Sequence, residues 1–258
     1  GQNHLQFNEY NALNGEYLQT IFEDKDEQYV EPVGPAHFLP NSTNEFLWIA
    51  QRDGFYHIWK HNVNNKKAKQ ITKGEFVITA FNGFDAKGEN IYYTSTEVSP
   101  LERHYYKHNL KNGKKVKITK EHGTHNVLPS ASGKYFLDNY SSTDVARNVD
   151  IADAKGNFVK RLHEAVDPLK DYNIGTIELG ELKAEDGQTL YTRMIKPYNF
   201  DENKKYPVII YVYGGPHAQM ITDNWTADAG IYLHYLSQEG FIVFTLDNRG
   251  SADRGEAF

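Results

Sequence analysis

Three aromatic strand cores recur at a constant interval along the first two thirds of the chain. They are Phe46-Leu47-Trp48-Ile49, Ile91-Tyr92-Tyr93 and Tyr135-Phe136-Leu137, with Trp48, Tyr92 and Phe136 spaced by 44 and 44. Each core is followed by a second strand-like run: Tyr56-His57-Ile58-Trp59, His104-Tyr105-Tyr106-Lys107 and Asn148-Val149-Asp150-Ile151. Turns follow at Asn64-Asn65, Asn112-Gly113 and Lys155-Gly156-Asn157, residues that tolerate the positive φ a tight hairpin requires. Each turn leads to an outer strand, at residues 70–73, 117–120 and 160–162, and one more candidate strand precedes each core, at residues 37–40, 80–85 and 127–130. Four short strands in about 44 residues are the requirement of a β-propeller blade, whose two faces are buried only against neighbouring blades. The aromatic content of 14% suits such pleated surfaces. Residues 46–175 hold about three units, and residues 5–31, with an Asn14-Gly15 turn, read as the outer half of another. Three to four blades fall short of a closed ring, so the expectation is the C-terminal part of a propeller.

Past Asp167-Pro168 the grammar changes. Residues 176–183 and 189–196 alternate as a hairpin around Asp186-Gly187, and residues 197–205 form a polar connector. Tyr206-Pro207-Val208-Ile209-Ile210-Tyr211-Val212-Tyr213 is apolar on both faces, as a strand buried inside an α/β sheet must be, and Gly214-Gly215-Pro216 breaks it. Residues 227–239 place Ile231, Leu233, Tyr235 and Leu236 at helical spacing, Gly240 stops that helix, and residues 241–246 form the next buried strand. The predicted organisation is a partial propeller over residues 1–175 and the N-terminal part of an α/β-hydrolase domain over residues 176–258.

Composition removes several function classes. A net charge of −6 argues against sequence-independent binding to nucleic acid phosphates. The longest apolar run, residues 208–213, is far shorter than the roughly 20 residues that span a bilayer. The absence of cysteine excludes disulfides, thiolate nucleophiles and Cys-type zinc sites. The chain opens Gly1-Gln2-Asn3-His4 with no Met and no signal-like segment, so the natural N-terminus and any export signal are expected to lie outside it.

A propeller followed by one strand ending in Val212-Tyr213-Gly214-Gly215-Pro216 and another ending in Asp247-Asn248-Arg249-Gly250-Ser251 resembles the prolyl oligopeptidase superfamily of serine peptidases, and in particular bacterial dipeptidyl peptidase IV-like proteins. The resemblance extends to Ile71-Thr72-Lys73-Gly74-Glu75, to Tyr93-Thr94-Ser95-Thr96-Glu97 with Pro100-Leu101-Glu102-Arg103, and to Lys204-Lys205-Tyr206-Pro207. It implies a serine exopeptidase that releases N-terminal dipeptides after Pro or Ala through an acyl-enzyme, without a cofactor, acting on peptides in the periplasm or outside the cell. The family further implies that the whole protein can form a homodimer. Two alternatives stay open: an acylaminoacyl or prolyl tripeptidyl peptidase, and a non-catalytic propeller interaction module.

No Gly-x-Ser-x-Gly elbow occurs; Ser130, Ser132, Ser141, Ser142, Ser237 and Ser251 all lack the flanking glycines. The resemblance places the Ser, Asp and His of the triad beyond Phe258 and an amine-binding Glu pair before residue 1, so the chain alone is expected to be inactive. What remains by resemblance is Tyr213, whose hydroxyl would donate to the oxyanion, with Gly214 and Gly215 forming the loop beside it and Arg249 tying loops around the site. The competing reading of Tyr213 is a core tyrosine at a strand end. His217 reads as a loop residue, the acidic run Asp24, Asp26 and Glu27 as a solvated turn, and His122 with His125 as an inter-blade turn with no carboxylate or third His to complete a metal set. Asn41-Ser42-Thr43 and Asn224-Trp225-Thr226 match the glycosylation triplet.

Overall fold

The computed structural model describes residues 2–258. A two-stranded antiparallel ribbon, β1 (His4–Tyr10) and β2 (Tyr17–Lys25), comes first. Three four-stranded antiparallel meanders follow in chain order. The first is β3 (His37–Phe38), β4 (Glu45–Ala50), β5 (His57–Asn62) and β6 (Ala68–Gln70). The second is β7 (Ile78–Phe84), β8 (Asn90–Ser95), β9 (His104–Asn109) and β10 (Lys115–Lys117), and the third is β11 (Thr124–Pro129), β12 (Tyr135–Ser142), β13 (Val145–Asp153) and β14 (Phe158–Glu164). In the turn of the first sheet the positive φ falls on Lys66 rather than on Asn64 or Asn65; Asn65 instead accepts from the Lys67 N–H. Gly113 and Gly156 take the positive φ in the other two sheets.

Apolar layers join successive sheets. Phe46 and Trp48 face the ribbon's Ile21, Phe7 and Phe22. Leu47 and Ile58 meet Ile91, Tyr93 and Tyr106 of the next sheet, and Tyr92 and Tyr105 meet Val127 and Phe136 of the third. The aromatic cores all lie on the second strand of their sheets, but the ladder corrects their equivalence. Glu45 pairs with Asn62, Asn90 with Asn109 and Tyr135 with Asp153, and each of those partners opens its outer turn. The true repeat is therefore 45, with Phe46, Ile91 and Phe136 in equivalent places. Tyr92 consequently points to the face opposite that of Trp48 and Phe136, because one residue of slip reverses the face of a strand.

A buried threonine closes two of the sheets. Thr72 Oγ1 accepts from the Ile58 N–H (2.9 Å) and lies 3.1 Å from His57 Nδ1. Thr119 Oγ1 accepts from the Tyr105 N–H (3.2 Å) and lies 2.9 Å from His104 Nδ1. Between ribbon and first sheet, His61 stacks on Phe46 and Phe22 while its Nε2 faces Arg52 at 3.1 Å. Burial, reinforced by the Arg52 charge, pushes its pKa down to about 4. Arg52 in turn forks onto Asp24 at 2.7 and 3.0 Å. Asp24 is thus a largely buried ion-pair partner on β2, not part of a solvated turn.

The remaining strands are β15 (Thr176–Lys183), β16 (Thr189–Lys196), β17 (Val208–Tyr211) and β18 (Ile242–Leu246), in the order β15-β16-β18-β17, with helix α1 (Ile231–Gln238) between the last two in sequence. β17 and β18 are parallel and β16 runs antiparallel to β18. Among the described residues β17 is the edge strand of this sheet, with Val208, Ile210 and Tyr211 exposed. One expectation changes here. The helix starts four residues later than its apolar spacing suggests, because Thr226, Ala227 and Asp228 adopt left-handed φ values of 57°, 49° and 61°. Ile195, Val243, Leu233 and Ala229 form the core of this sheet.

The third sheet meets this last segment through His122. Its Nδ1 lies 2.7 Å from Asp223 and its Nε2 3.2 Å from Asp144, and the Asp223 hydrogen bond raises its pKa. His125 pairs with Asp138 at 2.9 Å. Each imidazole therefore has a carboxylate partner, contrary to the expectation from sequence, although no group of three or more His, Cys, Asp or Glu side chains suited to a metal occurs among the described residues.

Thr119→Val keeps shape but leaves the buried Tyr105 N–H unpaired, and should lower stability by about 1–3 kcal/mol; Thr94→Val, whose hydroxyl bonds only to exposed Asn82, should cost less than about 0.5 kcal/mol. Urea unfolding of both variants checks this. His61 gives a pH signature. Its folded pKa lies below the unfolded value, so only the unfolded state takes up its proton as pH falls from about 6.5 towards 4, and stability declines over that window. Unfolding at pH 7, 5.5 and 4.5 should show a shallower decline for His61→Phe than for the wild type. The residual slope includes His37, His104, His108 and His234, whose pKa values burial also lowers.

Candidate active site

The site is built on the segment that leaves the carboxyl end of β17. Gly214 turns it with φ +72°, a conformation that favours glycine. At Gly215 a Cβ would sit 2.8 Å from Cε1 of the Tyr213 ring, so a side chain there would displace the exposed ring. Among the described residues Tyr213 is 58% exposed. Beyond it, His217 holds a left-handed φ of 64° with Nδ1 3.9 Å from Glu31.

Two buried charges hold the far end of this loop. Asp247, at the carboxyl end of β18, accepts the N–H groups of Met220 at 2.7 Å and Ile221 at 3.2 Å; burial raises its pKa while these bonds oppose the rise. Arg193 on β16 is almost wholly buried. Its Nη1 donates to the Met220 carbonyl at 3.0 Å and to the Ala227 carbonyl, and Nη2 donates to Thr245 Oγ1 at 3.1 Å. Burial lowers its pKa, and the charges of Asp228 and Asp247 counter that. Arg193 thereby stabilises the left-handed run at residues 226–228, which would otherwise be costly for non-glycine residues. Nothing in the alternation of β16 distinguishes this arginine from a solvent-facing one, and the sequence reading missed it. Asp247 stood within a recognised motif, but its role as a backbone acceptor did not show.

The neighbouring loop, residues 247–254, packs against the first. The His217 N–H donates to the Gly250 carbonyl at 3.1 Å and the Ala252 N–H to the Ala218 carbonyl at 3.3 Å. Arg249 reaches away from Tyr213. Its Nε donates to the Phe258 carbonyl at 2.9 Å and Nη2 to the Ala257 carbonyl, its guanidinium lies over the Phe258 ring, and Nη1 pairs with Asp186 in the β15–β16 turn. Ser251 donates its hydroxyl to the Asn248 carbonyl at 2.8 Å. A cleft of about 530 Å³ opens between these loops and the first two sheets, lined by Glu31, Tyr56, Phe81, His217, Ala252 and Asp253; Tyr213 lies outside it. The amides of both glycosylation triplets are already engaged, Asn41 with the Lys87 carbonyl and Asn224 with Asp228.

The arrangement can present a neutral hydroxyl donor and a glycine-lined backbone to a peptide carbonyl. Residues 1–147 match the family model described as the dipeptidyl peptidase IV (DPP IV) N-terminal region. A Bacteroides ovatus protein provisionally described as a dipeptidyl aminopeptidase IV is similar in structure, with a TM-score of 0.92 and 36% identity over 99% of this chain and 39% of its own. Porphyromonas gingivalis dipeptidyl peptidase 4 gives a TM-score of 0.86 at 28% identity, over 99% of this chain and 36% of its own. Among curated relatives, dipeptidyl peptidase 4 of Arthroderma otae is 29% identical over 84% of this chain. The chain spans about three-tenths of the length of the curated relatives it matches. With the family model covering more than half its residues and similar structures covering nearly all of them, the chain belongs to the dipeptidyl peptidase IV family.

Proposed function

We propose that this chain forms part of a serine-type exopeptidase that releases dipeptides from peptide N-termini, after Pro or Ala, through an acyl-enzyme. In this reading residues 1–175 are consecutive propeller blades and residues 176–258 begin an α/β-hydrolase domain. The stacked four-stranded meanders support the first part. The parallel β17–β18 pair joined through α1, with its loops at the carboxyl ends of the strands, supports the second, since ligands of open α/β sheets bind there. The exposed apolar edge of β17 suits pairing with a further strand. The names of the relatives favour dipeptide release over the acylaminoacyl and tripeptidyl alternatives. Peptide processing outside the cytoplasm fits the same reading.

The observation that carries the proposal is the Tyr213-Gly214-Gly215 loop at the carboxyl end of β17, held at its far end by Asp247 and Arg193. Acyl transfer builds negative charge on the carbonyl oxygen, and a preorganised neutral donor aimed at it lowers the barrier without reorganisation during the reaction. Tyr213 fills that role, Gly214 and Gly215 allow the substrate backbone to approach, and Arg249 supports the outer turn. Serine, base and acid of the triad are assigned to no residue of this chain.

In the full polypeptide the gene encodes, Tyr213→Phe should lower kcat by about 10²–10³, with KM changed little, because the lost bond strengthens only in the transition state. Melting temperature should hold, since Phe keeps the ring and its packing; an unchanged kcat would overturn the assignment. The 258-residue chain itself should show no labelling by a fluorophosphonate probe. A labelled Ser251 would place the nucleophile where this proposal has none.

A further inference from the structure

The segment before β9 meets the chain after Tyr213 through the Leu101 carbonyl, which accepts the Asp223 N–H at 2.7 Å, and through one guanidinium. Arg103 precedes β9, and its backbone is fixed twice by the third sheet: its N–H donates to the Gly123 carbonyl at 3.1 Å and its carbonyl accepts the His125 N–H at 3.0 Å. Its side chain is 14% exposed and donates four hydrogen bonds. Nη1 reaches the carbonyls of Pro100 and Glu102, both at 2.9 Å. Nη2 reaches Gln219 Oε1 at 2.5 Å and Asp253 Oδ2 at 2.7 Å, across 116 and 150 residues of sequence. Gln219 Nε2 returns a bond to the Pro100 carbonyl at 2.9 Å and closes the ring.

The two residues gripped by Nη2 sit on the two loops of the candidate site. Gln219 follows Tyr213 by six residues, just before the stretch anchored on Asp247. Asp253 belongs to the loop whose Gly250 and Ala252 bond the backbone of His217 and Ala218. Both loops carry non-glycine residues in left-handed conformations, Asp253 at φ 61° and His217 at φ 64°. Such backbone persists only where surrounding contacts over-determine it. Charge-assisted, two-pronged bonds from a part-buried arginine supply that restraint in a way that a lysine, with one point charge, does not.

We propose that Arg103 is a positioning residue for Tyr213: by bridging Gln219 and Asp253 it fixes the loop over residues 214–219, and so aims the tyrosine hydroxyl from the neighbouring sheet. The proposal rests on the reading of Tyr213 as the oxyanion donor. Arg103 touches no reacting atom in this scheme. Its effect is one of geometry, where displacements near 1 Å can cost up to about 10² in rate.

The test is a double-mutant cycle in the full polypeptide, with kcat and KM measured for Arg103→Met, Tyr213→Phe and the double variant on a Gly-Pro chromogenic dipeptide substrate. Arg103→Met should lower kcat by about 10- to 100-fold with KM within about twofold, and should cause little further loss once Tyr213 is Phe. Arg103→Lys should recover only part of the loss. If Arg103→Met leaves kcat unchanged while Tyr213→Phe lowers it, the positioning role is wrong and the oxyanion reading stands. If Tyr213→Phe itself is without effect, that reading falls and the role of Arg103 falls with it. Equal losses from Arg103→Met in both backgrounds would make the arginine merely structural and overturn the proposal. Should Arg103→Met fail to fold, Asp253→Asn and Gln219→Leu cut the bridge from the loop side, and the same cycle with Tyr213→Phe decides by the same criteria.

Discussion

A sheet of four short strands with apolar side chains on both faces cannot be solvated on either, and this condition organises the first 165 residues. The faces of β4 illustrate it: Phe46 and Trp48 are covered by the ribbon, Leu47 by the second sheet. Tyr92 and Tyr105 pass the same requirement on to Phe136. Each layer buries several large rings, and full burial of one such side chain contributes roughly 1.5–3 kcal/mol, so the stack is held by its interfaces more than by its hairpins. Within the first two sheets Thr72 and Thr119 each satisfy a backbone donor next to a buried histidine.

Against the apolar stack, the candidate site is held by buried charge. Arg193, Asp247 and Arg103 each bond backbone or side-chain atoms of the loops after β17 and β18, and none of them faces bulk solvent freely. A buried guanidinium is costly unless its protons find acceptors, and carbonyls that would be solvated in an open loop supply them. Nε of Arg193 and both ring nitrogens of His234 have no protein partner, and the stacked sheets carry such atoms too, among them the hydroxyls of Tyr93 and Tyr105 and Nδ1 of His108.

Strand existence was legible in the sequence because aromatic runs and turn residues alternate so regularly; register was not. Position 48 and position 92 are both aromatic, and a spacing of 44 between rings conceals a ladder repeat of 45. Only hydrogen-bond partners, absent from a sequence, distinguish the two faces. Asp24 looked like a solvent-facing charge because its partner, Arg52, lies 28 residues away in the turn between β4 and β5. The start of α1 was hidden for a related reason: Ala227 has good helical propensity, but the tertiary bond from Arg193 holds it left-handed. At the site, the motif around Tyr213, Gly214 and Gly215 was visible as residues, while the bonds that fix it come from strands and loops far off in sequence.

The order β15-β16-β18-β17 also bears on how the molecule is made. Each of the first three meanders pairs neighbours in sequence, so it can close as soon as its last strand leaves the ribosome. In the last sheet β16 can pair with β15 at once, but its other edge and the inner edge of β17 await β18, which inserts between them and is complete only at Leu246. Those two pairings are the non-local ones, which close more slowly than hairpins. A single strand, β18, thus decides when the Tyr213 loop first acquires a floor: the candidate site takes shape no earlier than the insertion of β18.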